Sequence, residues 1–553
     1  MTVGTTPAAG SRPPWVGPAS YAQERVWLAS QLAREAPVYH VVDEFPLPYP
    51  LTRDEVLAAL GEVCRRHEPL RTSFLLEAGE LRQLVHQEVV LPVEHLDLAG
   101  RQDEAPARVR ELLDRMAYAP IRLDRAPLWR ATLVHRGDAD WLLLFVAHHT
   151  VVDAASELIL RAELTELCAA AAGGRAAELA ELPIRYGDYA VWQRDRMLRG
   201  ELDRLLGFWR EALVGLPPVH GVPTDRPHPP ERSFAGRDLV MDLPVGVESE
   251  LPGLGRRLAT TPFTVLLAGY LALLHRLSGR EDLVVGIPVA GRDRPELQPL
   301  VGMFVNIVVV RVRVPGDPTF AELVGIVREA LLDVWEHQEM PFQKLVETLA
   351  GNREPGVPPL YQVAFNYQDV GFSRRSATTE DDLMLEICGG QARLEYNTAL
   401  FEPGTAAEIA AGLHRVLVAA LADPDLRLSA LPVTPRPAAP AQSGGTAGGA
   451  VEFVPPRTAA EELVAEVWAE VLARARIGAL DDFFELGGHS LLALRVIARL
   501  SAAAEVDLSI QAFFADTTVA GVAAELERVL AAELDELSED EARRLVAEPG
   551  PTA

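Results

Sequence analysis

The sequence predicts a mixed α/β (α+β) protein in two parts: a large two-lobed body, then a small all-α unit. Three observations carry this. Helical and strand periodicities alternate up to about residue 430, the pattern of layered α/β folds. The stretch Thr434 to Pro456 is rich in Pro, Gly and Ala, a linker in composition. Beyond it, Leu463, Val464, Val467 and Val471 repeat at helical spacing only. At 553 residues the chain exceeds one ordinary core. The expected divisions are a loose lead-in over 1–17, lobes over 18–215 and 216–433, a linker over 434–456, the helical unit over 457–531 and an acidic tail over 532–553. A Pro-punctuated stretch from Leu216 to Pro230 should cross between the lobes.

Within the first lobe, Ser20 should cap a helix carrying Glu24 in its first turn, with Ala22, Val26 and Trp27 facing inward. A second helix follows Thr52, with Val56, Leu57, Leu60 and Val63 as its apolar face, and Pro69 should end it before a strand. The plainest reading of His67 and Glu68 is a solvated helix end. Arg71, at a strand entrance, calls for a carboxylate or backbone partner. Residues 157–172 and the stretch from Tyr186 should be helices. In the second lobe, strands are expected around Leu239–Leu243, over Leu283–Val289, in the run to Val314, over Leu360–Gln368 and over Leu394–Phe401. A helix should run from Thr261 to Leu277 with Pro262 in its first turn, and His337 to Gln343 should open another.

Composition narrows the function. A formal charge of −27 repels nucleic acid and anionic membranes, so proteins or small molecules are the expected partners. Cys64, Cys168 and Cys388 are far apart and form no CxxC, which argues against a disulfide framework or a zinc site. No metal is expected. The N-terminus lacks the pattern of a secretion signal, and Phe263 to Leu274 is too short to span a bilayer, so a cytoplasmic protein is expected.

The centre of the first lobe is Trp141-Leu-Leu-Leu-Phe-Val-Ala-His-His-Thr-Val-Val-Asp153-Ala-Ala-Ser156. Its apolar block suits a strand buried on both faces and ending near His148 and His149. Successive side chains on an extended chain point to opposite sides, so one imidazole can face substrate while the other packs. In the small unit, Asp481-Asp-Phe-Phe-Glu-Leu-Gly-Gly-His-Ser490 places Ser490 after a glycine turn at a helix start. A serine there is commonly a cap. The same position favours a phosphate ester, because free amides and the helix dipole stabilise an anion.

Over 458–530, and above all over Asp482 to Leu491, the sequence resembles a peptidyl carrier protein of nonribosomal peptide synthetases. The resemblance implies an all-α unit of four helices with 4′-phosphopantetheine on Ser490. The first 430 residues resemble the condensation domain of the same assembly lines, through six strings in order: SYAQERVWL at 20, RHEPLRTSF at 66, HHTVVDAAS at 148, YGDYAVW at 186, GMFVN at 302 and HQEMPFQ at 337. It implies two lobes resembling chloramphenicol acetyltransferase, set in a V, with substrate arms entering from opposite faces. It also implies an acyltransferase in which His149 accepts the proton of an attacking amine or holds its nitrogen, the two roles being left open. Asp153 would be structural, paired with Arg292, and His148 would pack behind the loop. Three positions depart from the family pattern: Ala154 for glycine, Ile307 for threonine and Ala399 for aspartate.

The expected reaction joins a donor acyl or peptidyl thioester on another carrier protein to an amine on the arm of Ser490. The alternatives are a condensation-like recruitment scaffold and a domain that forms esters or takes free amines. Epimerisation is disfavoured because its relatives follow their carrier, and heterocyclisation because its relatives replace the histidine pair with aspartate. Nothing resembles an adenylation domain. The expected partners are therefore an upstream donor carrier, a separate adenylation enzyme, a phosphopantetheinyl transferase and, through the acidic tail as a docking helix, a downstream synthetase protein.

Overall fold

The computed structural model describes residues 13–33, 37–77, 79–101, 103–137, 139–349, 356–368, 371–372, 378–435, 453–484, 486, 488, 490–506, 508–509, 512–513 and 516–536. The chain divides into two compact units, residues 83–443 falling in one and 444–553 in the other.

The first lobe is built on a four-stranded sheet in the order His40–Leu47, Asp140–His148, Trp129–Gly137, Val93–Asp97. The strand Asp140–His148 is antiparallel to both neighbours, and residues 141–148 are buried throughout. That is why its sequence is continuously apolar rather than alternating. The helix Ala105–Tyr118 packs Val109, Leu112, Leu113 and Met116 against Val42, Val134, Leu142, Leu144 and Val146 of the sheet. Each large side chain so buried contributes roughly 1.5–3 kcal/mol.

The second lobe carries a six-stranded mixed sheet, Asn306–Arg313, Asp282–Val289, Val363–Gln368, Leu383–Cys388, Gln391–Asn397, Gly236–Asp242 in spatial order. Its core gathers the helices Pro262–Ser278, Phe320–Trp335 and Pro403–Ala422 around Val285, Phe320 and Phe365. Pro403–Ala422 is long and apolar enough to cross a bilayer, and half of that window lies buried in the protein. Met197, Leu205, Leu206 and Trp209 also pack into this core, ahead of the Pro-rich crossing.

The crossing itself is pinned to the second lobe. The main-chain N–H of His220 donates to Gln362 Oε1 (2.8 Å), and the Nε2 atoms of His220 and His228 meet Asp382 Oδ2 at 3.2 and 2.7 Å.

Several elements differ from expectation. Thr52 caps the second helix, but the helix ends at Arg66 rather than at Pro69, which opens a 3-10 turn over Glu68–Arg71. His67 and Glu68 are buried, not solvated. His67 Nε2 lies 3.0 Å from Glu163, which also holds Arg66, and Glu68 accepts from the N–H of Gly187. Arg71 finds a backbone partner in the carbonyl of His86. The helix after the histidines begins at Ala154 because Asp153 caps it. The helix of the HQEMPFQ string starts only at Phe342. Inside the expected lead-in, Trp15–Pro18 forms an edge strand, since main-chain pairing needs no apolar periodicity.

In the small unit, the helices Ala459–Val471, Ser490–Ala504 and Val519–Glu536 enclose Val464, Trp468, Phe483, Val496, Leu500, Phe513 and Leu526. Thr458 caps the first of these helices. The last takes in the opening residues of the acidic segment. Residues 436–452 of the expected linker, and 537–553, lie outside the described residues.

Candidate active site

The site starts from the end of the strand Asp140–His148. The N–H of His148 donates to Leu128 O (2.9 Å), and the N–H of His149 donates to Tyr39 O (2.8 Å), so both backbones are held by neighbouring strand ends. The two rings then diverge. His148 is buried at 3% exposure, and its Nδ1 accepts from the N–H of Thr150 (3.2 Å) and meets the Thr150 hydroxyl (2.9 Å). Burial, reinforced by His40 and His149, holds its pKa well below the usual histidine range, so it packs as a neutral ring.

His149 is only partly buried, and its Nδ1 lies 2.7 Å from Val152 O. A carbonyl only accepts, so Nδ1 carries the proton and Nε2 carries the lone pair. Burial lowers the pKa of His149, with the Val152 bond, Glu380 and Asp153 opposing. The result is a neutral imidazole with a free acceptor nitrogen, the state a proton acceptor needs near pH 7.

Asp153 does not orient the His149 ring. Its Oδ1 accepts from Ser156 N (2.8 Å), Ser156 Oγ (2.7 Å) and Arg292 Nη2 (2.9 Å), and its Oδ2 accepts from Phe304 N (3.1 Å). Arg292 also donates to the carbonyls of Leu297 (2.8 Å) and Leu300 (2.6 Å) and stacks on Phe304. Both ionic side chains are almost wholly buried, at 1% and 4% exposure, and the surrounding hydrogen bonds are what make that tolerable. Ser156 adds a second stitch, donating to Gly302 O and accepting from Gly302 N, both at 3.0 Å.

The six strings converge on this loop. Gln23 caps with Ser20 and donates to Thr150 O (3.4 Å). Ser20 Oγ meets Tyr186 Oη (2.8 Å), which donates to Met303 O (2.5 Å). Asn306 donates to the carbonyls of Gln338 (2.9 Å) and Met340 (2.7 Å) and accepts from Phe342 N (3.0 Å). Gly187, beside Tyr186, donates to Glu68 of the RHEPLRTSF string. Two apolar clusters cross between the lobes at the same place: Tyr186 and Tyr189 with Leu297, Leu300 and Phe304, and Ala22, Val26 and Tyr39 with Met303.

Sequence reasoning missed Ser156, Thr150, Tyr39 and Gly302 as supports. The first three are ordinary residues whose partners lie elsewhere in the chain. Gly302 left a trace inside GMFVN: a Cβ there would lie 2.2 Å from the Tyr186 ring. Of the departures, Ala154 is exposed at the helix start, Ile307 is buried in the strand Asn306–Arg313, and the N–H of Ala399 donates to Asn397. An open cleft of about 810 Å³ lined by Asp188, Trp192, Arg196 and Gly200 includes none of the histidine-loop residues.

In the small unit, Ser490 is the first residue of a 15-residue helix, where main-chain amides lack intrahelical partners. Among the described residues before it, Phe483 is the anchor. Gly488 N donates to Phe483 O (2.8 Å), and a Cβ on Gly488 would lie 2.4 Å from the Phe483 ring. Asp482 accepts from Phe484 N (2.8 Å) and from the Thr517 hydroxyl. A phosphate ester on Ser490 fits this position, because the N-terminal end of a helix favours an anion.

Comparison with known proteins decides the family. A family model described as Condensation domain matches residues 16–438, and one described as Phosphopantetheine attachment site matches residues 462–526. The chain belongs to the condensation-domain family. It is a mixed α/β condensation domain followed by a helical carrier region that matches the phosphopantetheine attachment family.

The chain is 38% identical over 454 residues to phosphinothricin tripeptide synthetase PhsC of Streptomyces viridochromogenes, covering 78% of this chain and 42% of that one. Identity to the isonitrile lipopeptide synthase of Mycobacterium tuberculosis is 34% over 459 residues, 77% of this chain and 18% of the relative. The chain thus spans less than half the length of these curated relatives. Among solved structures, the X-domain of teicoplanin biosynthesis, in complex with OxyB, superposes with a TM-score of 0.67 at 27% identity, over 76% of this chain and 96% of that one. A four-domain nonribosomal peptide synthetase shares the fold with a TM-score of 0.69 at 23% identity, over 85% of this chain and 37% of its own.

Proposed function

We propose that this chain is a condensation–carrier pair that forms an amide between a donor acyl or peptidyl thioester, held on another carrier protein, and an amine acceptor tethered through Ser490. The observation that carries the reading is the His149 tautomer: Nδ1 is committed to Val152 O, which leaves Nε2 as a lone-pair acceptor. As the amine nitrogen attacks the thioester carbon, its proton passes to Nε2, and the departing thiolate then takes it up. Asp153 and Arg292 hold the loop rather than react. The rest of the rate comes from alignment of two substrates by a site stitched across two lobes.

In this reading Ser490 is the attachment position, and the arm supplies a thiol for thioester formation. A separate adenylation enzyme loads the acceptor, a phosphopantetheinyl transferase installs the arm, an upstream carrier delivers the donor, and the acidic segment from 532 docks a downstream synthetase protein. The pair works in the cytoplasm.

The likeness to an X-domain solved in complex with OxyB favours a second reading, a condensation-like body that recruits another enzyme.

Two measurements test the proposal. Intact mass after treatment with a transferase and coenzyme A gains one arm, which is lost in Ser490→Ala; labelling elsewhere sinks the carrier assignment. Loaded holo protein and a donor carrier give an amide product by mass, and His149→Ala slows its formation by roughly 10²-fold or more. Equal rates for the two proteins favour the recruitment reading, and an ester or a released free-amine product replaces the proposed acceptor.

A further inference from the structure

We propose that Phe453 and Val454, at the end of the Pro- and Gly-rich stretch, form a strap that positions the loop leading into Ser490 and so sets how readily a phosphopantetheinyl transferase takes that serine. The inference rests on Ser490 being the attachment position.

Residues 472–489 join the helix Ala459–Val471 to the helix Ser490–Ala504. A connection of that length needs contacts from outside to hold one shape. Its middle is held from two sides. On one, Ala479 O accepts from Ala520 N (2.9 Å), Asp481 O accepts from Val519 N (3.3 Å), and Phe483 N donates to Thr517 O (2.8 Å), all around the start of the helix Val519–Glu536. On the other lies the strap. Ala479 N donates to Val454 O (2.7 Å), and the Arg476 guanidinium sits 3.5 Å over the Phe453 ring. A Cβ at Gly478 would lie 3.0 Å from Val454 O and 3.1 Å from that ring, closer than a side chain normally sits. Ala479 is wholly buried, its N–H committed to the strap and its carbonyl to the far side.

The hold passes on towards the serine. Gly478 N donates to Asp481 Oδ2 (2.7 Å), and Asp481 N donates back to Gly478 O (3.2 Å). Asp482 Oδ1 then accepts from Phe484 N (2.8 Å), and Phe483 O accepts from Gly488 N (2.8 Å), two residues before Ser490. The Phe453 ring is 37% exposed and stands outside the apolar cluster of the small unit, so its contacts serve the loop rather than the helical core. A cation over an exposed ring and a single hydrogen bond are modest contacts, enough to choose between loop shapes without deciding whether the helices fold.

In arm transfer the Ser490 oxygen bonds to phosphorus as the pyrophosphate bond of coenzyme A breaks, the nucleotide bisphosphate leaves, and the serine proton passes to the transferase. The strap touches none of these atoms. It acts on the fraction of chains whose loop has the shape the transferase binds, so its loss raises KM by the inverse of that fraction and leaves kcat unchanged.

The test uses the full chain, a phosphopantetheinyl transferase and coenzyme A, with amide hydrogen exchange read by mass spectrometry on the same proteins. In Phe453→Ala, exchange over 476–484 quickens while exchange over 459–471 stays as in wild type, KM for the chain rises roughly fivefold, and kcat holds. Phe453→Tyr restores both readouts, and Arg476→Ala, which removes only an exposed cation, raises KM by a smaller factor. A quickened loop with an unchanged KM overturns the inference, as does an unmoved loop, a fall in kcat alone, or faster exchange throughout the small unit. If Ser490→Ala still gains the arm, the attachment reading falls; if it does not while Phe453→Ala behaves like wild type, only the strap inference falls.

Discussion

Replacing Asp153 by Asn removes one charge and one acceptor oxygen while keeping the volume. The carboxylate accepts four hydrogen bonds, three on Oδ1 and one on Oδ2. An Asn oxygen serving the first three leaves its NH2 facing the N–H of Phe304, donor against donor, which costs about 1–3 kcal/mol. The buried Arg292 guanidinium loses its countercharge, and breaking such a pair from one side costs about 3–5 kcal/mol. These overlap, so the net loss is about 3–5 kcal/mol, a large part of the roughly 5–15 kcal/mol that holds a domain folded. Urea unfolding followed by tryptophan fluorescence reads the loss, and product formation from a donor thioester reads the displaced histidine loop. A double-mutant cycle with Arg292→Met separates the pair from its surroundings, the double variant costing less than the sum. A loss below about 1 kcal/mol with full activity, or strict additivity, refutes the view that this pair holds the loop.

His148 makes stability depend on pH. Its folded pKa lies well below the unfolded value near 6.5, so below 6.5 the unfolded chain binds the extra proton and stability falls as pH drops, by up to about 1.4 kcal/mol per pH unit. His148→Asn flattens that slope in unfolding measured from pH 7 to pH 5. Gly302→Ala drives a methyl into the Tyr186 ring and breaks the bond from Tyr186 to Met303; a loss of about 1–3 kcal/mol by thermal unfolding, with slower product formation, is expected.

The sequence was most informative where local rules govern. Ser20 caps the helix expected of it, and helices start next to Thr52 and Thr261 as expected, each of these threonines serving as the cap, because capping is settled within four residues. The Asp153–Arg292 pair, foreseen only through a family resemblance, is 2.9 Å across in the structure. What escaped was long-range. His67 looks solvated until Glu163, ninety-six residues away in sequence, reaches it. The His149 tautomer hangs on the carbonyl of Val152, a main-chain atom that no side-chain pattern announces. Strand Leu383–Cys388 passed unnoticed because buried Glu386 interrupts its apolar run, and Arg393 on the next strand neutralises it.

The ligature of Asp153 and Ser156 to Arg292, Gly302 and Phe304 has a consequence for recombination. A hybrid cut at the Pro-rich crossing, which looks on paper like the natural seam, inherits Asp153 and Ser156 from one parent and their three partners from the other. Its His149 loop would be held by strangers. Chimeras that exchange residues 153, 156, 292, 302 and 304 as a single allele should keep their turnover, whereas those cut between the lobes should fold and fall silent.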